Sequence, residues 1–403
     1  MLIVGSLVRR RLCLVALLSV SLAGAACSHA KPKEESDEVA ESAEKPAETA
    51  EEKQTSPEGD QSDCDQLADK LETSLEKTAD KFEFPGALVV LDAPGCPNVT
   101  FSTGLGVIEP KTPMKADMVY RVGSITKMFV AAVMLQLVEE DELALEDTVD
   151  QWVPDVPNAS KATVRQILNH TSGIPKYIDD GFRKKVMTDP TREWKPEELL
   201  SRISDREPAF APGEDWAYSN SNYIIAGLII EEVTGSSVGT QIRKRLLDPL
   251  ELSHTYFAVE EEVDEPMAHP YFRGKDFLET TRSWTWAAGA LVSTAGDQLT
   301  WIDALLDGEV VSDASLKEMM EFVDTGHDTR TFGMGIERVG RGDAGGPLLG
   351  YNGRGPGVMA DLYAVEGEDC GVAVYVNSDG VFNEKARGAS TALVKTALSH
   401  CGE

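Results

Sequence analysis

The pattern of apolar and polar positions takes on the period of a helix after Asp63. Asp63 is suited to cap a helix that starts near Cys64. Apolar residues then recur at helical spacing, which predicts one buried face. The residues of this stripe are Leu67, Leu71, Leu75 and Phe82. Pro85 and Gly86 follow the stripe and end the predicted helix.

Short apolar runs near both ends of the folded part are typical of buried strands. Turn residues bound four such runs, over 87–91, 98–107, 358–365 and 372–376. A last helix is predicted over about 384–399, and the middle, from Ser124 to about Leu306, is mainly helical and rich in loops. Strands at both ends with helices between them predict an α+β fold, in which both termini build one sheet and a mainly helical region is inserted.

The first residues have the pattern of an export signal. Three arginines at 9–11 precede an apolar run over 12–26, which is shorter than the about 20 residues of a membrane-spanning helix. A basic start, a short apolar run and small residues predict a signal peptide over 1–26. Cys27 follows these small residues and resembles the lipidated cysteine of bacterial lipoproteins, although Gly24 stands where leucine is usual. We favour lipidation at Cys27, and ordinary cleavage nearby is the alternative.

Residues 27–63 contain almost nothing apolar and consist mainly of Glu, Ala, Lys, Pro and Ser. Such a segment buries too little surface to offset the entropy of ordering it, so a disordered spacer is predicted. The spacer would hold a folded domain over 64–403 away from a membrane, and a plain acidic tail is the alternative.

The composition of the chain excludes some classes of binding partner. The chain has 403 residues and a formal net charge of −30, which argues against nucleic acid and against docking on anionic lipid. The length is ample to bury a core without metal ions, and the cysteine spacing matches no metal site. We therefore expect no metal and no cofactor, and a small-molecule or peptide substrate of the cell envelope. The oligomeric state is open.

Export permits disulfides, and six cysteines occur. Cys13 lies in the signal and Cys27 is the lipidation candidate. The remaining four allow three pairings: Cys64, Cys96, Cys370 and Cys401. Each terminal helix is predicted to run beside a neighbouring hairpin, which brings the first cysteine to the second and the third to the fourth. Cross-pairing at one end of the fold is the alternative.

Ser124 and Lys127 begin a nearly continuous apolar stretch over 128–138. Residues three apart share a helix face, so the ammonium would lie one turn from the hydroxyl. Together with the helix dipole, this arrangement favours an alkoxide. A capping serine with a lysine that reaches solvent is the alternative. The Ser-x-x-Lys pattern also occurs elsewhere, for example in the spacer at Ser28/Lys31 and on the polar face of the first helix at Ser74/Lys77.

Tyr218 and Asn220 precede a second apolar helix over 223–233. A phenol is a weak base unless a nearby cation lowers its pKa, and Lys127 is a candidate for that cation. The same Tyr-x-Asn spacing recurs at Tyr375, which is explained as a strand residue. A glycine-rich stretch over 350–357 is predicted just before a strand, either as a close backbone approach to a ligand or as an ordinary hairpin turn.

These motifs, in this order, resemble the serine β-lactamase and D-Ala-D-Ala carboxypeptidase superfamily, on the class C β-lactamase-related branch that includes D-aminopeptidases and esterases. Supporting segments are Val122-Gly123, Leu168 to Gly173 and Ala287 to Thr294. The resemblance covers about 85–376 and implies a transpeptidase-like fold with a central antiparallel sheet.

The resemblance also implies roles for individual residues. Ser124 would be the nucleophile, and Lys127 and Tyr218 would share the work of the general base. Asn220 would position the substrate and Lys127. The glycine-rich motif would bind substrate, and the backbone N–H groups of Ser124 and Arg354 would form the oxyanion hole. His170 would be structural, in a turn.

The third motif departs from the family. It usually opens with Lys or His, and here it is Tyr351-Asn352-Gly353. Loss of that cation would weaken recognition of a substrate carboxylate unless Arg354 points inward. The sequence therefore predicts a cell-envelope serine hydrolase that acts on an ester or amide, with weak or no β-lactamase activity. The alternative is a tethered pseudoenzyme that binds an envelope ligand without turnover.

Overall fold

The computed structural model describes residues 61–327, 329–341, 346–379 and 383–401. The predicted signal peptide, Cys27 and nearly all of the spacer lie outside this range. Within it, no helix is both long enough and apolar enough to cross a bilayer.

The first and last helices differ slightly from their predicted bounds. The first begins at Gln61, inside the end of the predicted spacer. The last begins at Ala389 rather than near 384, because Gly388 before it takes a left-handed conformation with φ of 80°. The described helices are α1 (Gln61–Ala79), α2 (Thr126–Glu139), α3 (Val164–Leu168), α4 (Asp180–Thr188), α5 (Pro196–Leu200), α6 (Asn220–Thr234), α7 (Val238–Ile242), α8 (Ala295–Leu306), α9 (Asp313–Met319) and α10 (Ala389–Ala397).

Both termini contribute strands to one antiparallel sheet, which confirms the predicted fold class. The strands are β1 (Gly86–Ala93), β2 (Cys96–Val107), β3 (Thr112–Pro113), β4 (Tyr120–Arg121), β5 (Tyr256–Phe257), β6 (Tyr271–Phe272), β7 (Lys275–Asp276), β8 (Leu291–Ser293), β9 (Val323–His327), β10 (Arg330–Phe332), β11 (Glu337–Val339), β12 (Leu348–Gly355), β13 (Val358–Val365) and β14 (Gly371–Val376). The main sheet has nine strands in the order β3-β2-β1-β14-β13-β12-β11-β10-β9. Within this sheet β1, from the start of the domain, pairs with β14, from near its end, and Ala87 lies opposite Val376.

The glycine-rich stretch is part of a strand. Residues 350–355 lie within β12, and Pro356 and Gly357 make the turn into β13. The stretch precedes the strand β13, as predicted, and it is itself largely a strand, which the sequence did not predict. The stretch forms part of the sheet because Gly350 to Gly355 pair in unbroken register with Val358 to Tyr363.

The sheet separates two cores. On one face, α1 and α10 pack their apolar stripes against strand residues such as Val89 and Val374. On the other face lies the inserted helical region, which includes α2, α6 and α8. Helix α2 is buried on nearly every side, as its continuous apolar sequence predicts.

Two disulfides tie the terminal helices to hairpins. Cys64 in α1 bonds Cys96 at the start of β2, with 5.3 Å between their Cα atoms. Cys370, just before β14, bonds Cys401 near the end of the chain, with 5.9 Å between Cα atoms. This is the pairing that the helix-and-hairpin argument predicts, and the cross-paired alternative is wrong.

Candidate active site

Ser124 sits in a single 3-10 turn, Gly123–Ile125, that leads directly into α2. Gly123 has φ of 56°, and a Cβ on Gly353 would come within 1.9 Å of the Val122 carbonyl oxygen. Only glycine therefore lets the backbone of β12 lie against the turn that carries the serine. The same close approach places the backbone nitrogen of Arg354 beside Gly123.

Lys127 lies one turn beyond Ser124 and is completely buried. Its Nζ donates to Ser124 Oγ at 3.0 Å and to the carbonyl oxygen of Ala288 at 2.6 Å. Burial lowers the pKa of Lys127 well below its usual value of 10.5. This shift favours the neutral amine, which is the form of lysine that can accept a proton.

Tyr218 approaches the serine from the other side. Its hydroxyl donates to Ser124 Oγ at 2.8 Å. Burial raises the pKa of Tyr218 to about 12, although the hydrogen bond to Ser124 opposes that change. The phenol is therefore protonated at neutral pH. The two pKa shifts are opposite in direction, and they favour a neutral amine at Lys127 and a protonated phenol at Tyr218.

Asn220 is the first residue of α6 and lines the same pocket as Ser124. Its Oδ1 atom is buried and has no hydrogen-bond partner among the described residues. The predicted role in positioning Lys127 has no hydrogen bond to support it, because the lysine amine is directed to Ser124 and Ala288. Asn220 instead presents a polar side chain to the pocket.

The third motif was predicted to bind substrate through its side chains. In the structure these side chains alternate between the two faces of β12, and those of Tyr351 and Asn352 do not line the pocket. Tyr351 is only 2% exposed and packs beneath the site, near Tyr218, without lining the pocket. Asn352 points to the opposite face and donates to Glu337 Oε1 at 2.6 Å. Neither side chain reaches the pocket. Gly353 contributes through its close backbone approach, described above.

Arg354 also points away from the nucleophile. Its guanidinium donates to Asp361 Oδ1 at 2.7 Å and to Ser390 Oγ of α10 at 3.1 Å. It also donates to the carbonyl oxygens of Gly353 and Ala360, at 3.0 and 2.7 Å. The side chain is therefore committed to the terminal-helix face, and it does not replace the missing cation of the third motif. What Arg354 offers the pocket is its backbone.

His170 supports the site without touching the serine. It has φ of 67°, and its ring lies 4.5 Å from the ring of Tyr218. Its Nδ1 accepts from the backbone N–H of Ser219 at 3.4 Å and lies 3.2 Å from Asn222 Nδ2. Burial lowers the pKa of His170 well below its usual value, so the ring is neutral. These contacts agree with the structural role that the resemblance implies.

The other copies of the motifs lie elsewhere. Ser74 Oγ is 2.9 Å from His400 Nε2, in the packing of α1 against the C-terminal end of the chain. Tyr375 is buried in β14, where its ring stacks on Tyr120 at 4.2 Å. Ser28 lies outside the described residues.

A pocket of about 510 Å³ opens onto Ser124, Tyr218 and Asn220. Much of its wall was not predicted from the sequence. One side comes from α4 and the loop before it, and the other from residues 272–289. The lining side chains missed by sequence reasoning include Lys176, Ile178, Arg183, Lys184, Met187, Phe272, Arg273 and Trp284. The one signal in the sequence is the i, i+3, i+4, i+7 spacing of Asp180, Arg183, Lys184 and Met187 on α4.

The described ranges contain no group of three or more His, Cys, Asp and Glu side chains that could hold a metal ion. The hydroxyl of Ser124 lies between the amine of Lys127 and the phenol of Tyr218, and it lines the pocket. Together with the fold, this arrangement defines the class of serine hydrolases that work through an active-site serine in a Ser-x-x-Lys motif.

Comparison with known proteins gives the family. The chain belongs to the β-lactamase family, whose model matches residues 73–395. Among curated relatives, the chain is 30% identical over 190 residues to penicillin-binding protein 4* of Bacillus subtilis, covering 46% of this chain and 40% of that protein. It is 28% identical over 225 residues to esterase EstB of Burkholderia gladioli, covering 53% and 57%. The chain thus spans about half the length of the curated relatives it matches.

Solved structures match over more of the chain. A D-stereospecific amidohydrolase from a Streptomyces species is 29% identical with a TM-score of 0.71, covering 80% of this chain and 98% of that one. A D-amino acid amidase from Ochrobactrum anthropi is 26% identical with a TM-score of 0.74, covering 84% and 99%. The family resemblance predicted from the motifs is therefore confirmed, and its neighbours include both esterase and amidase.

Proposed function

We propose that this protein is an exported serine hydrolase that cleaves esters or amides through an acyl-enzyme on Ser124. The observation that carries the proposal is the position of Ser124 Oγ, 3.0 Å from Lys127 Nζ and 2.8 Å from the Tyr218 hydroxyl. A serine with only a capping role would not require a buried lysine whose pKa is lowered well below its usual value.

The reaction proceeds in two halves. Ser124 Oγ attacks the substrate carbonyl carbon while neutral Lys127 accepts the hydroxyl proton. The bond to the leaving alcohol or amine then breaks, and that group takes up a proton delivered through Tyr218, which Lys127 replenishes. Water attacks the acyl-enzyme in the second half, which releases the carboxylic acid and returns the proton to Ser124. The backbone N–H groups of Ser124 and Arg354 would bind the developing oxyanion.

The substrate preference rests on what the third motif lacks. No cation stands at position 351, and Arg354 is bonded to Asp361 on the other face of the sheet. Penicillins and free D-Ala termini carry a carboxylate next to the reacting amide, so their recognition is weakened. The similarity to an esterase and to D-amino acid amidases supports esters and simple amides as substrates, with β-lactam hydrolysis weak or absent.

A direct test measures hydrolysis by the purified full chain of three substrates: a p-nitrophenyl ester, a D-amino acid p-nitroanilide and a chromogenic cephalosporin. We expect turnover of the ester or the anilide, slow or no turnover of the cephalosporin, and loss of all turnover in Ser124→Ala. Binding of these compounds without any turnover would instead support the tethered pseudoenzyme.

The envelope location is part of the proposal. It is supported by the basic and apolar start of the chain, Cys27 after small residues and the acidic segment that follows. If Cys27 carries lipid, the wild-type chain partitions with membranes after expression in a bacterium, and Cys27→Ser moves to the soluble fraction. Equal partitioning of both forms would support ordinary secretion.

A further inference from the structure

The charged residues that line the pocket are mostly positive. The cations are Lys176, Arg183, Lys184 and Arg273, and the carboxylates are Asp180 and Asp379, while the guanidinium of Arg354 points away from the nucleophile. This local excess of positive charge occurs in a chain whose formal net charge is −30. A cationic pocket on an acidic protein raises the local concentration of anionic substrates.

Two of these cations remain available for a ligand. Arg183 pairs with Asp180 at 3.0 Å and Arg354 with Asp361 at 2.7 Å. The backbone of Arg273 contacts Asp379. Lys176 and Lys184 are exposed at the pocket, and neither has a carboxylate partner within the described part of the chain.

Lys176 is held in place beside the catalytic residues. The residues on both sides of it bond to Ser221 of α6, whose Oγ donates to Pro175 O at 2.6 Å and accepts from the Tyr177 N–H at 3.1 Å. The Tyr177 hydroxyl donates to Trp284 O at 2.7 Å, which joins this segment to the opposite wall. Lys176 is close enough to the site that its charge adds to burial in lowering the pKa of His170.

Lys184 is placed by α4. Asp179 caps this helix by accepting from the Phe182 N–H at 2.8 Å, and the ring of Phe182 packs against Trp194 at 4.8 Å. That docking directs Lys184 and Met187 toward the pocket, one turn apart on the same helix face. Apolar side chains line the same pocket as these cations and the serine, among them Ile178, Met187, Phe272 and Trp284.

We propose that the pocket binds substrates that carry a carboxylate separated from the reacting carbonyl by an apolar segment, and that Lys176 and Lys184 bind this carboxylate. The inference rests on the proposed hydrolase function and specifies its substrate class. In this chain the carboxylate would bind to lysines on α4 and on the loop before it. In the family, the cation that contacts a carboxylate belongs to the third motif, which here lies on β12. Specificity would follow the distance between the carboxylate and the carbonyl.

The test compares two esters of equal carbon number, mono-p-nitrophenyl glutarate and p-nitrophenyl valerate. We expect the ratio of their kcat/KM values, anionic over neutral, to fall about fivefold in Lys176→Met and again in Lys176→Met/Lys184→Met, as for exposed charge pairs. The ratio should also fall as salt rises. Lys185→Met is the matched control, since Lys185 lies on α4 outside the pocket lining, and it should leave the ratio unchanged.

Binding separates this inference from the hydrolase proposal. Monomethyl glutarate titrated into Ser124→Ala protein, followed by NMR, should bind several-fold more weakly when Lys176 is also changed to Met. Turnover of both esters with an unchanged ratio in Lys176→Met would overturn the inference and leave the hydrolase function intact. Lysine-dependent binding with no turnover of either ester by the wild-type chain would refute the hydrolase and support the carboxylate site.

Discussion

The hydroxyl of Tyr218 donates a 2.8 Å hydrogen bond to the Oγ of Ser124 across 94 residues of sequence. The bond joins the start of α6 to the turn before α2 at the floor of the pocket. Because the phenol keeps its proton at neutral pH, it is suited to donate a proton in the proposed mechanism. In that mechanism the base is Lys127, whose Nζ lies 3.0 Å from the same oxygen.

The pH profile of ester hydrolysis should show this division. Only the neutral amine of Lys127 accepts a proton, and burial lowers its pKa well below 10.5. The value of kcat/KM should therefore rise with pH through a limb well below 10.5 and then stay level, with no fall before Tyr218 ionises at about 12. Lys127→Ala should lower the plateau by roughly 10²-fold or more.

Tyr218→Phe is the control for this assignment. It should reduce the plateau while leaving the rising limb at the same pH. Disappearance of the limb in Tyr218→Phe, with the limb retained in Lys127→Ala, would assign the base to the tyrosine.

Tyr351 should not tolerate the cation that is usual in the family. Its side chain is 2% exposed and lies near Tyr218, Tyr223 and the buried Glu337, so Tyr351→Lys would take an ammonium out of water into a largely aromatic site. We expect a loss of unfolding free energy of about 3 kcal/mol and lower activity on every ester, with no gain on carboxylated substrates. Thermal unfolding and ester kinetics measure both effects.

Tyr351→Phe is the matched control and should retain the fold. A selective gain on carboxylated esters in Tyr351→Lys would show that the side chain reaches the substrate.

The pair of Arg354 and Asp361 should act on catalysis through the backbone. The guanidinium fixes the end of β12, whose backbone lies against the serine turn, and Asp361 is nearly fully buried. Asp361→Ala should therefore reduce kcat more than it changes KM, and should destabilise the fold by about 1–3 kcal/mol.

Arg354→Lys tests whether the planar, multiply bonded guanidinium is what matters, since lysine keeps the charge without that geometry. It should recover only part of the kcat lost in Arg354→Ala. Wild-type kcat in both Asp361→Ala and Arg354→Ala would mean that the ion pair does not position the site.

The two disulfides should stabilise the domain independently of each other. Each closes a loop of about 30 residues, with separations of 32 and 31, which corresponds to about 2–4 kcal/mol in the chain-entropy model. The double variant Cys370→Ala/Cys401→Ala should unfold at lower denaturant concentration. Peptide mapping without reductant should recover Cys64 with Cys96. A mapped Cys64–Cys401 peptide would contradict the structure.

The four predicted strand runs correspond to β1, β2, β13 and β14 of the nine-stranded sheet, and they are recognisable because glycine and proline bound them. The other five strands of this sheet were not predicted. Val358–Val365 appears with its predicted bounds, and β14 begins one position before the predicted run, at Gly371. The start of α10 was missed because Gly388, which sets it, carries no apolar signal. The apolar pattern of a strand is a local property of the sequence, so such strands can be predicted without knowledge of the tertiary structure.

The site is only partly contained in local patterns. Ser124 lies in the 3-10 turn and Lys127 in the first turn of α2, three residues on, so their contact follows from spacing alone. The direction of Tyr351 and Asn352 depends on the register of β12 in the sheet, and a shift of one residue reverses every side chain. Lys176 and Trp284 reach the pocket through tertiary packing, and their sequence context gives no signal for it.

Covalent labelling tests the central claim most directly. The full chain is incubated with a serine-directed fluorophosphonate and its intact mass is measured, alongside Ser124→Ala and the control Ser74→Ala, which alters the Ser-x-x-Lys copy on α1. We predict a single adduct on the wild-type chain and on Ser74→Ala, located by peptide mapping at Ser124, and none on Ser124→Ala. An adduct of equal yield on Ser124→Ala, or no adduct on folded wild-type protein, would contradict the assignment of Ser124 as the nucleophile.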